Sequence, residues 1–168
     1  MGEKFVLNFE DKLFETRNLL LHEISCLSQH ELNQTIEINT WTIAQICHHL
    51  IIVEMLFADA IVYGLKRKND KEIEPKRIEV ISDRSQKIDA PEISKPSSEQ
   101  FHLEEIIQMF RNSRKKFLDV LSSIEDKSLL VKKSAKHPVL GELPLYQWIE
   151  LLYLHELRHI EQIKRLKK

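Results

Sequence analysis

The sequence predicts an all-α protein, a four-helix bundle with one long crossover between its second and third helices. Three observations carry that prediction. Gly and Pro are scarce, 3 and 5 in 168 residues, while Leu, Ile, Lys and Glu abound, a composition that favours helix. Apolar residues recur at helical spacing in four separate segments. A charged stretch with three of the five prolines divides the second segment from the third.

The first helix is expected over 5–27, with Phe9, Leu13, Leu20, Ile24 and Leu27 on one stripe. Residues 28–39 read as a polar connector. The second helix opens at Thr42-Ile43-Ala44-Gln45, a capping-box pattern, and runs to Gly64 as C-cap. The third opens near Ser97-Ser98-Glu99-Gln100, again with capping-box spacing. It continues to Ile124 through Leu103, Ile106, Phe110, Phe117 and Leu121. Pro144, favoured at a first helical position, starts the fourth, which runs close to the end. The connection 66–97 is too long for antiparallel neighbours and predicts a crossover spanning the bundle, with helices two and three parallel. The whole chain, 1–168, reads as one domain.

The second helix carries more apolar surface than one core needs. Ile51, Met55, Ala58 and Val62 lie opposite the Ile46, Leu50, Val53, Phe57, Ile61 row. That face must be covered by the crossover or by another copy, and a homodimer through helix two is expected.

A formal net charge of −1 gives no reason to expect a nucleic-acid partner. The basic cluster Lys164, Arg165, Lys167 and Lys168 reads as a solvated helix end. No signal-peptide h-region and no uninterrupted membrane-length run is evident, so no membrane partner is expected. Cys26 and Cys47 form no CxxC, which fits a reduced cytoplasmic protein.

His155 and His159 stand four residues apart in Leu154-His155-Glu156-Leu157-Arg158-His159, one turn apart on one helical face. They share a stripe with Trp148, Leu151, Leu152 and Leu166 and so face the bundle interior. Gln162 lies within that stripe, Arg158 flanks it, and Glu156 is about a quarter-turn to its other side. Two imidazoles so spaced can grip one transition-metal ion. On helix two, His49 lies at the margin of the core row, whereas His48 points away, toward the surface or a dimer contact. Three inward imidazoles without a ligand would each need partners for two ring nitrogens in a dry interior. A divalent metal on His49, His155 and His159 resolves that and leaves one coordination position open, the pattern of catalytic sites. Imidazole ligation suits zinc, nickel, copper, cobalt or iron.

The HELRH stretch also matches the HExxH pattern of zinc proteases, with Glu156 as base. The extended form wants Gly and His where Gln162 and Arg165 stand, and only nine residues follow His159. A protease is therefore disfavoured. Arg114 falls on the inner stripe of helix three, where it could anchor an acidic substrate or snorkel out at a bundle end. His137, before Pro138, reads as a turn-stabilising or pocket-rim residue, and Cys47 as a buried structural thiol.

Trp41-Thr-Ile-Ala-Gln-Ile-Cys-His-His49-Leu, His137-Pro-Val-Leu-Gly141-Glu-Leu, Gln147-Trp148 and His155-x-x-x-His159-Ile-x-Gln162-Ile follow in that order. The set resembles the DinB/YfiT-like superfamily of four-helix-bundle metalloproteins and covers nearly the whole chain. The resemblance implies metal ligation by His49, His155 and His159; the helical faces place Trp148, Gln162, Arg114 and Glu156 around the pocket. It implies a zinc or nickel ion activating a low-molecular-weight thiol such as bacillithiol for transfer to a small-molecule electrophile. It also implies frequent dimerisation and, for some members, metal-dependent hydrolysis; a non-catalytic metal-binding dimer is the alternative from another class. Relatives often carry a hydroxyl residue where Leu143 precedes Pro144, so the fourth helix is less well capped here.

Overall fold

The computed structural model describes residues 2–68, 72–82 and 89–167. Four long helices form the bundle: α1 (Gly2–Ile24), α3 (Ile43–Lys66), α4 (Leu103–Ser122) and α6 (Leu145–Leu166), with short α2 (Gln29–Asn33) and α5 (Leu129–Lys132) between them. A hairpin of β1 (Ser134–His137) and β2 (Gly141–Pro144) precedes α6. It pairs antiparallel from Ser134 with Pro144 to His137 with Gly141. Gly141 takes φ +76°, a left-handed conformation that glycine adopts without steric cost.

Contacts between helices fix their directions. Along α3 and α4 they climb together: Gln45 reaches the Ser97 carbonyl, Glu54 meets Ser113 and Arg114, and Asp59 meets Lys116. Between α3 and α6 they run oppositely, from His49 with His155 to Phe57 with Trp148. Arg17 with Glu156 and Glu23 with Lys167 make α1 parallel to α6. The order is up, down, down, up, so the chain must travel the length of the bundle between α3 and α4. Two 3-10 turns, Ile78–Ser82 against α6 and Glu92–Ser94 against α3, belong to that crossover. Residues 69–71 and 83–88 of the expected 66–97 connection lie outside the described residues, as does Lys168 of the basic cluster.

Several boundaries differ from expectation for local reasons. The 28–39 connector contains α2, closed by its own capping box: the Ser28 hydroxyl accepts from the Glu31 amide and Glu31 accepts from the Ser28 amide. α1 ends at Ile24, leaving Leu27 half-buried beyond it. The Thr42–Gln45 box caps α3 as expected. That helix passes through Gly64 to Lys66, so Gly64 is not a C-cap. A Cβ there would lie 2.5 Å from Leu145 Cδ2 and 2.9 Å from the Ser134 carbonyl oxygen. Gly64 is where α3 and the hairpin touch. α4 starts at Leu103 rather than near Ser97, with the His102 amide held by the Glu105 carboxylate at 2.8 Å, and it ends at Ser122. Pro144 is the N-cap of α6, and the Leu145 amide is satisfied by the carbonyl of Lys133, the residue before β1.

The second face of α3 is partly covered within the chain. Ile51 and Ala58 are buried, Val62 is half-buried and Met55 is 43% exposed. By length and composition α3 is long and apolar enough to cross a membrane, although Glu54 and Asp59 interrupt its apolar run. More than half of its most apolar window lies inside the bundle.

The apolar core falls into two clusters. One holds Leu13, Phe57, Phe117 and Leu152, and the other Leu20, Leu50, Phe110 and Ile160. Between them, each long helix contributes charge: Arg17, Glu54, Arg114 and Glu156, with Thr16 and Ser113. Arg17 spans both acids, at 2.8 Å to Glu54 and 2.7 Å to Glu156. Arg114 lies 2.5 Å from Glu54 and 3.3 Å from Glu156, and also donates to the Leu13 carbonyl.

Candidate metal centre

His49 from α3 and His155 and His159 from α6 meet in space. His155 Nε2 lies 3.3 Å from His49 Nε2 and 3.2 Å from His159 Nε2, and the three candidate ligand atoms all fall within 4.8 Å of one another. Antiparallel packing of α3 against α6 brings His49 level with the pair, and the four-residue spacing sets His155 and His159 one turn apart.

Two of the rings are fixed from behind. His49 Nδ1 lies 2.7 Å from the Ser94 carbonyl oxygen, which can only accept, so Nδ1 carries the proton. His159 Nδ1 is 2.8 Å from Gln162 Oε1 in the same sense. Both Nε2 atoms therefore direct lone pairs at His155. His155 Nδ1 is buried without a hydrogen-bond partner among the described residues. Trp41 packs against His49 with ring centroids 4.9 Å apart.

Burial lowers the pKa of His49, opposed by the Ser94 bond and reinforced by His48. Burial also takes His155 well below the usual histidine range, with His159, His49, Arg158 and His137 adding to the effect. Those two imidazoles are held neutral, the form that binds metal. A neutral His155 can donate an Nε2–H to only one of the two lone pairs that face it, whereas a cation among the three nitrogens would satisfy all of them. Tetrahedral nitrogen ligation at 2.0–2.1 Å separates donor atoms by about 3.3 Å, so the donor set fits a divalent ion.

The sequence profile of the DinB superfamily matches residues 12–163. The chain belongs to the DinB superfamily. It is similar to the uncharacterized protein YuaE of Bacillus subtilis (strain 168), 29% identical over 160 residues and covering 95% of each chain. Two solved structures share the fold. TT2238, a four-helix bundle protein, gives a TM-score of 0.64 at 16% identity over 98% of this chain and 99% of its own. YfiT from Bacillus subtilis, described as a probable metal-dependent hydrolase with an unusual four-helix bundle topology, gives 0.62 at 17% identity over 99% and 85%.

Among the other residues of this DinB-superfamily chain, His137 and Cys47 sit as the sequence suggests and several others do not. His48, expected at the surface or a dimer contact, is half-buried; its Nδ1 accepts from the Ser97 amide and its ring packs on Phe101. It anchors the end of the crossover. Arg114 neither snorkels nor stands free for a substrate, being tied to Glu54 and Glu156. Glu156 accepts from Thr16 at 2.6 Å and from Arg17 and Arg114, so both its oxygens serve the ionic layer. Burial alone would lower the pKa of Arg17, but Glu156 and Glu54 raise it. Burial likewise opposes ionisation of Glu54, but Arg17 and Arg114 hold its pKa below the ordinary value. Arg17 and Glu54 were missed, although a lone Glu in the apolar middle of α3 was a signal. Ser94 was missed because a backbone carbonyl has no side-chain signature. His137 is buried with Nδ1 accepting from the Val139 and Leu140 amides, and Trp148 lies beside it. Cys47 is fully buried, and burial pushes its thiol up to about 12.

Proposed function

We propose that the protein is a metal-dependent enzyme that activates a low-molecular-weight thiol, such as bacillithiol, for attack on an electrophilic small molecule. The observation that carries this reading is the convergence of three Nε2 atoms, at 3.3 and 3.2 Å about His155. Zinc or nickel on His49, His155 and His159 would keep one coordination position open, and when bound supplies a Lewis acid that lowers the pKa of a thiol or water there. Ser94 and Gln162 orient the His49 and His159 rings, a role that outer partners of metal-ligating imidazoles commonly fill.

Metal-dependent hydrolysis is the second reading, favoured by the description of the structural neighbour YfiT. The engagement of both Glu156 oxygens in the ionic layer weighs toward the thiol. Thiol activation by a Lewis acid needs no separate carboxylate base. The proposal includes a cytoplasmic homodimer through α3, where Met55 and Tyr63 are 43% and 64% exposed. Sedimentation at two protein concentrations tests the dimer.

The test of function is to incubate zinc- or nickel-loaded protein with bacillithiol and an epoxide or chlorinated acceptor. Conjugate formation that disappears in His155→Ala is expected. Absence of conjugate alongside metal-dependent cleavage of ester or amide substrates would establish the hydrolytic reading instead. Metal bound without either reaction would leave a non-catalytic metal protein.

A further inference from the structure

Two N–H groups near the imidazoles lack an acceptor among the described residues. The indole nitrogen of Trp148 is buried, with the residue 3% exposed, and makes no hydrogen bond. Buried indoles ordinarily find one. The second group belongs to His137. Its Nδ1 accepts from the Val139 amide at 3.2 Å and the Leu140 amide at 3.1 Å. With Nδ1 occupied as acceptor, the neutral ring carries its proton on Nε2. Burial pushes His137 down to about 4, so the ring stays neutral at ordinary pH.

The two rings are neighbours, 5.2 Å apart, and Phe57 stands edge-on to both. Trp148 sits seven residues before His155, two turns away on the same face of α6. The pair thus lies on the hairpin side of the imidazole cluster.

We infer that Trp148 Nε1–H and His137 Nε2–H together seat one oxygen acceptor of the substrate, a carbonyl or carboxylate oxygen, beside the imidazoles. Hydrogen bonds of about 2.9 Å from rings this close can meet at one oxygen. Neither donor is charged, so the seat selects by direction rather than by net attraction. The role as a substrate seat rests on the metal-enzyme reading, whereas the donors themselves are present with or without an ion.

The test follows the two indole cross-peaks in 15N–1H spectra of zinc-loaded protein titrated with acetate and, separately, acetamide. Trp148→Phe assigns the peaks. The Trp148 peak is expected to move downfield to saturation with one probe, acetate identifying a carboxylate and acetamide a carbonyl. Trp148→Phe and His137→Asn, the latter keeping an acceptor for the turn amides, should each weaken that probe's binding about tenfold in calorimetry at unchanged zinc content. A peak that ignores both probes, or variants that bind as the parent does, overturns the inference. If the protein takes up no zinc, the titration of the metal-free protein decides separately: a response keeps the donor pair and removes the metal reading, and silence removes both.

Discussion

His49 donates its Nδ1–H to the carbonyl oxygen of Ser94 across 2.7 Å, so the crossover sets the tautomer of an imidazole carried by α3. Gln162 does the same for His159 from within α6. Removing such an outer partner typically costs about 10- to 100-fold in metal affinity. Gln162→Leu should lose zinc affinity by that amount. Ser94→Ala, which keeps the carbonyl and removes only a hydroxyl bonded to Pro91, should stay within about threefold of the parent. Competition with a chromophoric chelator reads both, and equal losses would contradict the assignment.

The ionic layer supports a second prediction. Glu54 is fully buried against Arg17 and Arg114, so Glu54→Leu strands two buried cations and should destabilise by about 3–5 kcal/mol. The Asp59–Lys116 pair is largely exposed, and Asp59→Ala should cost about 0–1 kcal/mol. Urea denaturation of both variants checks the contrast. Similar small losses would mean that the layer is not the buried network described.

Gly64→Ala is the third test. Its methyl would meet fully buried Leu145 and the Ser134 backbone, neither free to move without disturbing the hairpin. Overpacking of this kind costs about 1–3 kcal/mol. Ala is otherwise the better helix former, so a neutral or stabilising outcome would mean that α3 and β1 do not touch as described.

Acid should destabilise the metal-free protein. Burial holds His137 at about 4 in the folded chain against an ordinary 6.5. Between those values the unfolded chain binds a proton that the folded chain refuses, so stability falls as pH drops from about 6.5 toward 4. The full contribution is about 3 kcal/mol. His49 and His155, lowered chiefly by burial, slope the same way. Glu54, held low by its arginines against the effect of burial, extends the loss below 4.5. Urea midpoints at pH 7.5, 6 and 4.5 should decline, and His137→Asn should flatten the decline.

The long helices were legible because each carries a continuous apolar stripe, and helical angle alone separated His49 from His48. The hairpin was not, since Ser134–His137 and Gly141–Pro144 are four residues each and show no alternating pattern. Gly64 was read as a helix end because the sequence carries no sign of Leu145 arriving beside it. Arg114 was recognised as an unexpected inward charge. Its partners come from α1, α3 and α6, and periodicity within one helix cannot supply them. The cluster His49, His155, His159 was visible as residue types at helical spacing, whereas the atoms that orient its rings were visible only in part.

The division of the core by Arg17, Glu54, Arg114 and Glu156 acts as a vernier on the bundle. Sliding any one long helix by a single turn, about 5.4 Å, would seat its charge against hydrocarbon and strand its counterparts. Oil-like packing alone tolerates such slips; this arrangement admits one alignment. The imidazoles on α3 and α6 inherit that alignment, so their mutual spacing is set by side chains that make no hydrogen bond to them.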